Sequence, residues 1–254
     1  MPVSAIRSSP IEMDTTDDAV LGGRLKLLQP ANGHRAGHDA ILLAAAAPKG
    51  TLALDLGAGV GTAGLALLSR RAATHVTLVE VDHALSELSA QNAARNGLAN
   101  AVRVLRGDIT QDLPLQIDAY DLVVMNPPFN DGMTLQASPN ASRAHAHVAD
   151  PATLERWISR ATRHCASGGC LTIIHRPDAT LPILKSLDGR FGAIEILPVF
   201  SKPSTAAIRL IVRAIKGRKT PTQMLPGITL NDSNGRPSAI AEKILRDGAS
   251  LSEG

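Results

Sequence analysis

Aromatic residues are scarce in this chain and make up only 2% of its 254 residues. A hydrophobic core must therefore be built from Ala, Leu, Val and Ile, and a hydrophobic content of 44% is enough to build one. With 19% charged residues, the composition is not that of a disordered chain. Length and composition together predict one large α/β domain with small additions.

Cysteine is equally scarce, because Cys165 and Cys170 are the only two. Two cysteines supply neither a disulfide framework nor the ligand spacing of a zinc site, so we expect reduced thiols and no metal. The first residues lack an apolar signal core, and the apolar run at residues 40–48 is too short to cross a membrane. These features predict a cytoplasmic protein with no membrane partner. A net charge of +3 permits a nucleic-acid partner without requiring one.

Apolar strands alternate with helices from residue 51 onward, which predicts a doubly wound, mostly parallel sheet of seven strands. No long helix separates the last two strands, so they are expected to form an antiparallel pair at the sheet edge. Strands are predicted near 51–56, 75–81, 102–106, 120–125, 169–175, 193–200 and 206–215, and helices near 39–47, 62–71, 83–96, 151–165, 178–187 and 238–247. The predicted parts are a flexible tail (1–16), an N-terminal hairpin and helix (17–49), a main domain (50–216) and a C-terminal extension (217–254).

A glycine-rich loop, DLGAGVG at residues 55–61, directly follows the first strand of the predicted sheet. Two interpretations compete. Residues 59–64 match the dinucleotide pattern GxGxxG, but this match alone is weak. Asp55 stands two residues before Gly57, and its carboxylate would repel a pyrophosphate. That carboxylate suits a cofactor with a sulfonium and an amino group, which favours S-adenosylmethionine.

Acidic residues also end the next two strands. Glu80 can accept both hydroxyls of a ribose. Asp108 can accept a hydrogen bond from an adenine amino group, and Ile109 can pack on the ring. Because the carboxyl ends of parallel strands share one edge of a sheet, these residues should meet there. The predicted cofactor residues are Asp55, Gly57, Ala58, Gly59, Gly61, Glu80, Val81, Asp108, Ile109 and Asn126.

The fourth strand ends in Asn126-Pro127-Pro128-Phe129, which we predict to be the catalytic corner. A planar amino group is a poor nucleophile, because its lone pair is delocalised. The Asn126 side-chain oxygen and the Pro127 carbonyl can each accept one of its N–H bonds, which holds the nitrogen and favours a pyramidal geometry. Phe129 can stack on a planar substrate. The alternative is an ordinary turn, since Asn and Pro are common in turns.

The tetrad and the loop together resemble those of the amino-group methyltransferases that use S-adenosylmethionine and carry (D/N)PP(Y/F/W). The segment LGGRLKLLQPANGHRAGHDAILLAAAAP resembles the bacterial tRNA (adenine-N6)-methyltransferases that modify the adenine 3′ of the anticodon in a valine tRNA, and the resemblance covers residues 17–250. It implies a Rossmann-like class I methyltransferase that methylates N6 of an adenine in RNA, with tRNA as the leading substrate, and releases S-adenosylhomocysteine. It adds Arg35, Gly37, His38 and Asp39 as cofactor residues, although other members usually carry a small hydroxyl residue at position 38.

Substrate contacts are predicted after the catalytic corner and at the last strand. The long segment at residues 130–150 carries Arg143, His145 and His147, and the last strand carries Arg209 and Lys216. We predict Phe129, Arg143, His145, Arg209 and Lys216 as substrate residues.

Alternative functions stay open at this point. The same tetrad serves enzymes that methylate a protein glutamine amide, and a small-molecule amine is a further candidate. A non-catalytic RNA-binding scaffold is less favoured, because the acidic residues and Asn126 are all present. A nicotinamide dehydrogenase is least favoured, because the tetrad has no role in hydride transfer. The oligomeric state, monomer or homodimer, is open.

Overall fold

The computed structural model describes residues 14–32, 37–128 and 151–251. The strands are β1 (Thr15–Val20), β2 (Leu25–Pro30), β3 (Leu52–Leu56), β4 (His75–Glu80), β5 (Val102–Arg106), β6 (Tyr120–Met125), β7 (Cys165–His175), β8 (Phe191–Phe200), β9 (Ala207–Lys216), β10 (Gln223–Met224) and β11 (Ile228–Thr229). The helices are α1 (His38–Ala46), α2 (Thr62–Ser69), α3 (His83–Arg95), α4 (Pro151–His164), α5 (Thr180–Leu187) and α6 (Ala239–Leu245).

The main sheet has the order β10-β8-β9-β7-β6-β3-β4-β5, with β11 also paired to β8. Strands β3 to β7 are parallel, and β9 is antiparallel to both β7 and β8. This confirms the predicted class I methyltransferase fold with an antiparallel pair toward one edge. The prediction left the order of the last two strands open, and the structure places β9 between β7 and β8. The sheet differs from the predicted seven strands because the short strands β10 and β11 extend it beyond β8.

Helices cover both faces of the sheet. Because successive residues of a strand point to opposite sides, each strand contributes side chains to both buried faces. Ala53 and Val124 belong to the cluster that packs against α1 and α2, whereas Leu54 and Val123 belong to the cluster that packs against α4 and α5. Aliphatic side chains make up most of both clusters, as the scarcity of aromatics requires. Among the described residues, no helix has both the length and the apolar character needed to cross a membrane.

The C-terminal segment packs on the domain. Strands β10 and β11 pair with β8, and the Leu251 N–H donates to the Ala45 carbonyl of α1 at 2.8 Å. The Arg70 guanidinium donates from the end of α2 to the Gly248 carbonyl at 2.8 Å. These contacts hold residues 223–251 against the sheet edge and the first two helices.

The N-terminal hairpin is held by two asparagines four residues apart, Asn92 in the last turn of α3 and Asn96 directly after the helix. Asn96 accepts from the Lys26 N–H at 2.9 Å and donates to the Lys26 carbonyl at 2.8 Å. Asn92 accepts from the Leu28 N–H at 2.7 Å and donates to the Leu28 carbonyl at 3.0 Å. These amides therefore satisfy backbone groups of β2 as a neighbouring strand would. The Asn92 amide also donates to the Val60 carbonyl at 3.0 Å, which ties the hairpin to the glycine-rich loop.

The two asparagines should differ in their effect on stability. Asn92 is 0% exposed, so Asn92→Ala leaves the part-buried backbone groups of Leu28 and the buried carbonyl of Val60 without this partner. We expect a loss of about 2–4 kcal/mol in the free energy of unfolding, measured by urea denaturation. Asn96→Ala is the matched control, since water can replace its bonds at the surface, and a loss of less than about 1 kcal/mol is expected there. Equal losses would contradict this account.

Candidate active site

Parallel strands bring the predicted residues to one edge of the sheet. Leu56 of β3 pairs with Val79 of β4 on one side and with Met125 of β6 on the other. The loop after Leu56, the end of β4 and the corner after Met125 therefore leave the sheet at the same level. Strand β5 joins them, because Arg106 pairs with Glu80. The carboxyl edge is thus the shared location of the glycine-rich loop, Glu80, Asp108 and Asn126.

The glycine-rich loop makes a tight turn that side chains would oppose. Gly57, Gly59 and Gly61 have φ angles of 74°, 56° and 87°, in the left-handed region that favours glycine. The N–H groups of Gly57 and Ala58 both donate to the Val79 carbonyl at 2.9 Å, which fastens the start of the loop to β4. The backbone path is therefore one reason for glycine at each of the three alternating positions.

Glu80 holds the middle of this loop from the neighbouring strand. One carboxylate oxygen accepts from the Gly59 N–H at 2.8 Å, and the other accepts from the Asp82 N–H at 2.9 Å. The side chain is 7% exposed. Each oxygen has a second acceptor position, so the group can bind hydroxyls while it keeps its backbone contacts. Val81 beside it is 58% exposed and offers an apolar surface.

Asp108 and Ile109 follow β5 with different surroundings. Asp108 is exposed, and one of its carboxylate oxygens accepts from the backbone N–H and the hydroxyl of Thr110, at 2.8 and 2.7 Å. Ile109 is only 5% exposed and belongs to the core cluster on the α4 side. The apolar surface that is open to a ligand at this edge therefore belongs to Val81 rather than to Ile109.

Asp55 lies beneath the loop and is only 2% exposed. Its carboxylate accepts from the Gly64 N–H in the first turn of α2 at 2.9 Å. Burial raises the pKa of Asp55 to about 7, the Gly64 hydrogen bond opposes this rise, and the nearby charge of Glu80 adds to it. The structure therefore gives this carboxylate a definite role in joining β3 to α2.

The raised pKa predicts a pH dependence of stability. From about pH 4 to about pH 7, the unfolded chain ionises Asp55 whereas the fold keeps it protonated, so this stabilisation is lost as pH rises. Asp55→Asn cannot ionise, and its free energy of unfolding should rise relative to the wild type across this window. Each pKa unit corresponds to about 1.4 kcal/mol, so a relative gain of a few kcal/mol is expected.

Urea denaturation of both proteins at several pH values measures this difference. Glu87→Gln, at an exposed position of α3, is the charge control. A difference between wild type and Asp55→Asn that does not change with pH would contradict the assignment.

Asn126 lies where β6 ends, and its side-chain oxygen is buried without a hydrogen-bond partner among the described residues. The Thr62 hydroxyl, at the first residue of α2, is also buried without a partner within that part of the chain. A buried polar atom without a partner is costly, so such atoms mark places where a ligand can supply the missing bond. Pro127 is buried directly after Asn126, and Phe129 lies outside the described residues.

The other predicted site residues divide into three groups. Gly37, His38 and Asp39 form the start of α1, and Asp39 accepts from the Arg209 guanidinium at 2.8 Å, which joins α1 to the start of β9. Lys216 lies at the opposite edge of the sheet, where its ammonium donates to the Asp118 carboxylate and to the carbonyls of Thr162 and Cys165. The predicted residues outside the described ranges are Arg35, Phe129, Arg143 and His145, together with His147.

Two residues at this edge escaped the sequence analysis. Ile173 of β7 pairs with Met125, so His175 and Arg176 reach the level of the two prolines on the neighbouring strand. Burial lowers the pKa of His175, and its Nδ1 accepts from the Arg176 N–H at 2.9 Å. The strand-end rule used for β3 to β6 would have found these residues if it had been applied to β7.

The methyltransferase small domain family matches residues 37–200, which include every described element from α1 to β8. The chain belongs to this family. Its cofactor is S-adenosylmethionine, which the site fits, because two acidic residues and an exposed apolar side chain line a glycine-rich loop at the carboxyl edge.

The chain is similar to ribosomal RNA small subunit methyltransferase C from Salmonella newport (strain SL254), with 35% identity over 144 residues. The protein of the same name from Klebsiella pneumoniae is 34% identical over 146 residues. Each alignment covers 57% of this chain and 36% of the relative, so the chain spans about a third of the length of these curated proteins.

Solved structures share the fold. A predicted O-methyltransferase from Agrobacterium tumefaciens superposes with a TM-score of 0.69 and 25% identity, over 84% of this chain and 98% of that one. An S-adenosylmethionine-dependent O-methyltransferase from Thermotoga maritima has a TM-score of 0.52 and 17% identity, over 74% of this chain and 68% of that one. The predicted methyltransferase class is confirmed at the level of the family.

Proposed function

We propose that this methyltransferase transfers a methyl group from S-adenosylmethionine to an exocyclic amino nitrogen of a base in RNA. The observation that carries the proposal is the Asn126 side-chain oxygen, which is buried without a hydrogen-bond partner among the described residues and lies one strand away from the cofactor loop. An amino group can supply the missing hydrogen bond. The ribosomal RNA methyltransferases among the relatives support RNA as the substrate class.

The cofactor loop and its neighbours would hold the methyl donor. Glu80 would accept the ribose hydroxyls, Val81 would pack against the adenine ring, and Asp108 would accept from the adenine amino group. Asp55 would act from beneath by fixing the loop to α2. When bound, S-adenosylmethionine supplies an electrophilic methyl group on a sulfonium and leaves as S-adenosylhomocysteine.

The corner after β6 would hold the acceptor. The Asn126 oxygen and the Pro127 carbonyl each accept one N–H of the amino group, which orients the nitrogen lone pair toward the methyl carbon. In the transfer the N–C bond would form as the S–C bond breaks, the nitrogen would become positively charged, and it would then release one proton to water. The two acceptors favour this charge, so catalysis rests on positioning and hydrogen-bond complementarity.

The finer proposal is N6 of an adenine in tRNA, and it rests on the sequence resemblance of residues 17–250. The mild charge excess fits a substrate held through a few phosphates and one extruded base. The Arg209 guanidinium pairs with Asp39 of α1. A phosphate bound by Arg209 would therefore share the guanidinium with the Asp39 carboxylate. Lys216 is left out of the proposal, because three protein oxygens accept from its ammonium at the opposite sheet edge.

The residue test uses Asn126. We expect Asn126→Ala to lower kcat by about a hundredfold or more, since a preorganised hydrogen-bond partner of the reacting group is lost. The Kd for S-adenosylhomocysteine should change little, and Asn126→Asp, which keeps an acceptor, should recover part of the rate. Asn100→Ala, at the opposite edge of the sheet, is the matched control. Wild-type kcat in Asn126→Ala would refute the assignment.

The substrate test is a transfer assay with methyl-labelled S-adenosylmethionine. Unmodified tRNA, ribosomal RNA and a ribosome-free protein extract are offered separately, and the labelled products are hydrolysed and identified by mass. N6-methyladenosine from tRNA supports the finer proposal. A different methylated base amine, or label found in ribosomal RNA alone, would support RNA as the substrate class. It would refute N6 of an adenine in tRNA as the target. Methylglutamine in protein would overturn the RNA proposal.

A further inference from the structure

Trp157 is the only tryptophan of the chain, and its ring lies against the cofactor loop. A Cβ atom placed on Gly57 would lie 2.4 Å from Cη2 and 2.9 Å from Cζ3 of this indole. The outer edge of the ring therefore touches the Gly57 backbone where a side chain would otherwise stand. The chain has five aromatic residues. The largest of them fills the space that a side chain at Gly57, the first glycine of the motif, would take.

The position of Gly57 makes this contact relevant to chemistry. Leu56 pairs with Met125, so Gly57 and Asn126 are the first residues after the ends of the neighbouring strands β3 and β6. The cofactor loop and the catalytic corner thus begin side by side. Trp157 reaches this junction from α4, the first described helix after the corner.

Helix α4 is firmly anchored on this face of the sheet. Leu154 and Ile158 are 8% and 0% exposed and belong to the core cluster that includes Leu56 and Met125. Trp157 packs against the same cluster and stays partly exposed. Its ring is therefore held by a rigid base, while part of its surface faces out of the core.

We propose that Trp157 is a positioning residue, which fixes Gly57 relative to Asn126 and thereby sets the methyl donor against the acceptor amine. The inference rests on the proposed function, because it assumes that Gly57 belongs to the donor site and Asn126 to the acceptor site. A smaller side chain at position 157 lets the first turn of the loop shift. Misplacement of the two reactants then lowers kcat.

The first test is intrinsic fluorescence, because all tryptophan emission comes from this one residue. Saturating S-adenosylhomocysteine should change the intensity or wavelength of the Trp157 emission in the wild-type protein, with saturation confirmed by calorimetry. Unchanged emission at saturation would overturn the inference. If calorimetry detects no binding of S-adenosylhomocysteine, the proposed function is refuted as well as the inference. Binding without a change in emission refutes the inference alone, so the two failures are distinguishable.

The second test is a double-mutant cycle on the Kd for S-adenosylhomocysteine. Gly57→Ala introduces the collision with the ring, and it also strains a backbone whose φ is 74°. Trp157→Leu removes the collision but leaves the backbone strain, which therefore cancels in the cycle. We expect Gly57→Ala to raise Kd several-fold less in the Trp157→Leu background than in the wild type. Equal factors in both backgrounds would overturn the inference.

Kinetics separate positioning from general stability. Trp157→Leu should lower kcat about tenfold or more with little change in KM for the RNA, and Trp157→Phe should recover part of the rate. Leu154→Ala, one turn earlier on α4, is the control, because it removes a core side chain from the same cluster, whereas the three atoms nearest to a Cβ on Gly57 all belong to Trp157. A loss of kcat as large in the Leu154 variant as in Trp157→Leu would overturn the inference.

Discussion

The pairing of β3 with β6 is the constraint on which the rest of the structure depends. Strand β3 has β4 on one side and β6 on the other, so the chain leaves β3 toward one half of the sheet and later returns to fill the other. At such a switch point, the loops after the two central strands diverge and leave a crevice at their carboxyl ends. The glycine-rich loop lies on one side of this crevice and Asn126 on the other. Their adjacency is a consequence of strand order and register, not of sequence proximity.

Electrostatics at this edge are unusual, because two acidic side chains lie close together under one loop. Both Asp55 and Glu80 accept from backbone N–H groups, and Glu80 contributes to the raised pKa of Asp55. A pyrophosphate would add negative charge to this arrangement. The cofactor proposed for this loop would instead bring the positive charges of a sulfonium and an amino group to this edge. Glu80 and Asp55 both fix the backbone of the loop, whatever ligand it binds.

The sequence was sufficient where local pattern and parallel topology decide the outcome. The glycine spacing and the polar residues at strand ends predicted the class of fold and the edge at which the site residues meet. The sequence was insufficient where the role of a side chain depends on a partner far away in the chain. Arg209 and Lys216 are both cations on the last long strand, yet Arg209 pairs with Asp39, 170 residues away, and Lys216 with Asp118, 98 residues away. Neither partner can be recognised from spacing. The insertion of β9 between β7 and β8 and the contact of Trp157 with Gly57 are long-range packing outcomes of the same kind.

The cofactor loop is held from both faces of the sheet by parts of the chain that have no other reason to meet. From one face, Asn92 joins the Val60 carbonyl to the N-terminal hairpin. From the other face, Trp157 covers Gly57. The first contact is a directional hydrogen bond, whereas the second is a steric contact. A loop confined in this way loses little conformational entropy when a ligand binds, so more of the binding energy can appear as affinity. Because α4 lies in the chain between the corner after β6 and strand β7, its contact with Gly57 also links the loop after β3 to the segment that follows β6.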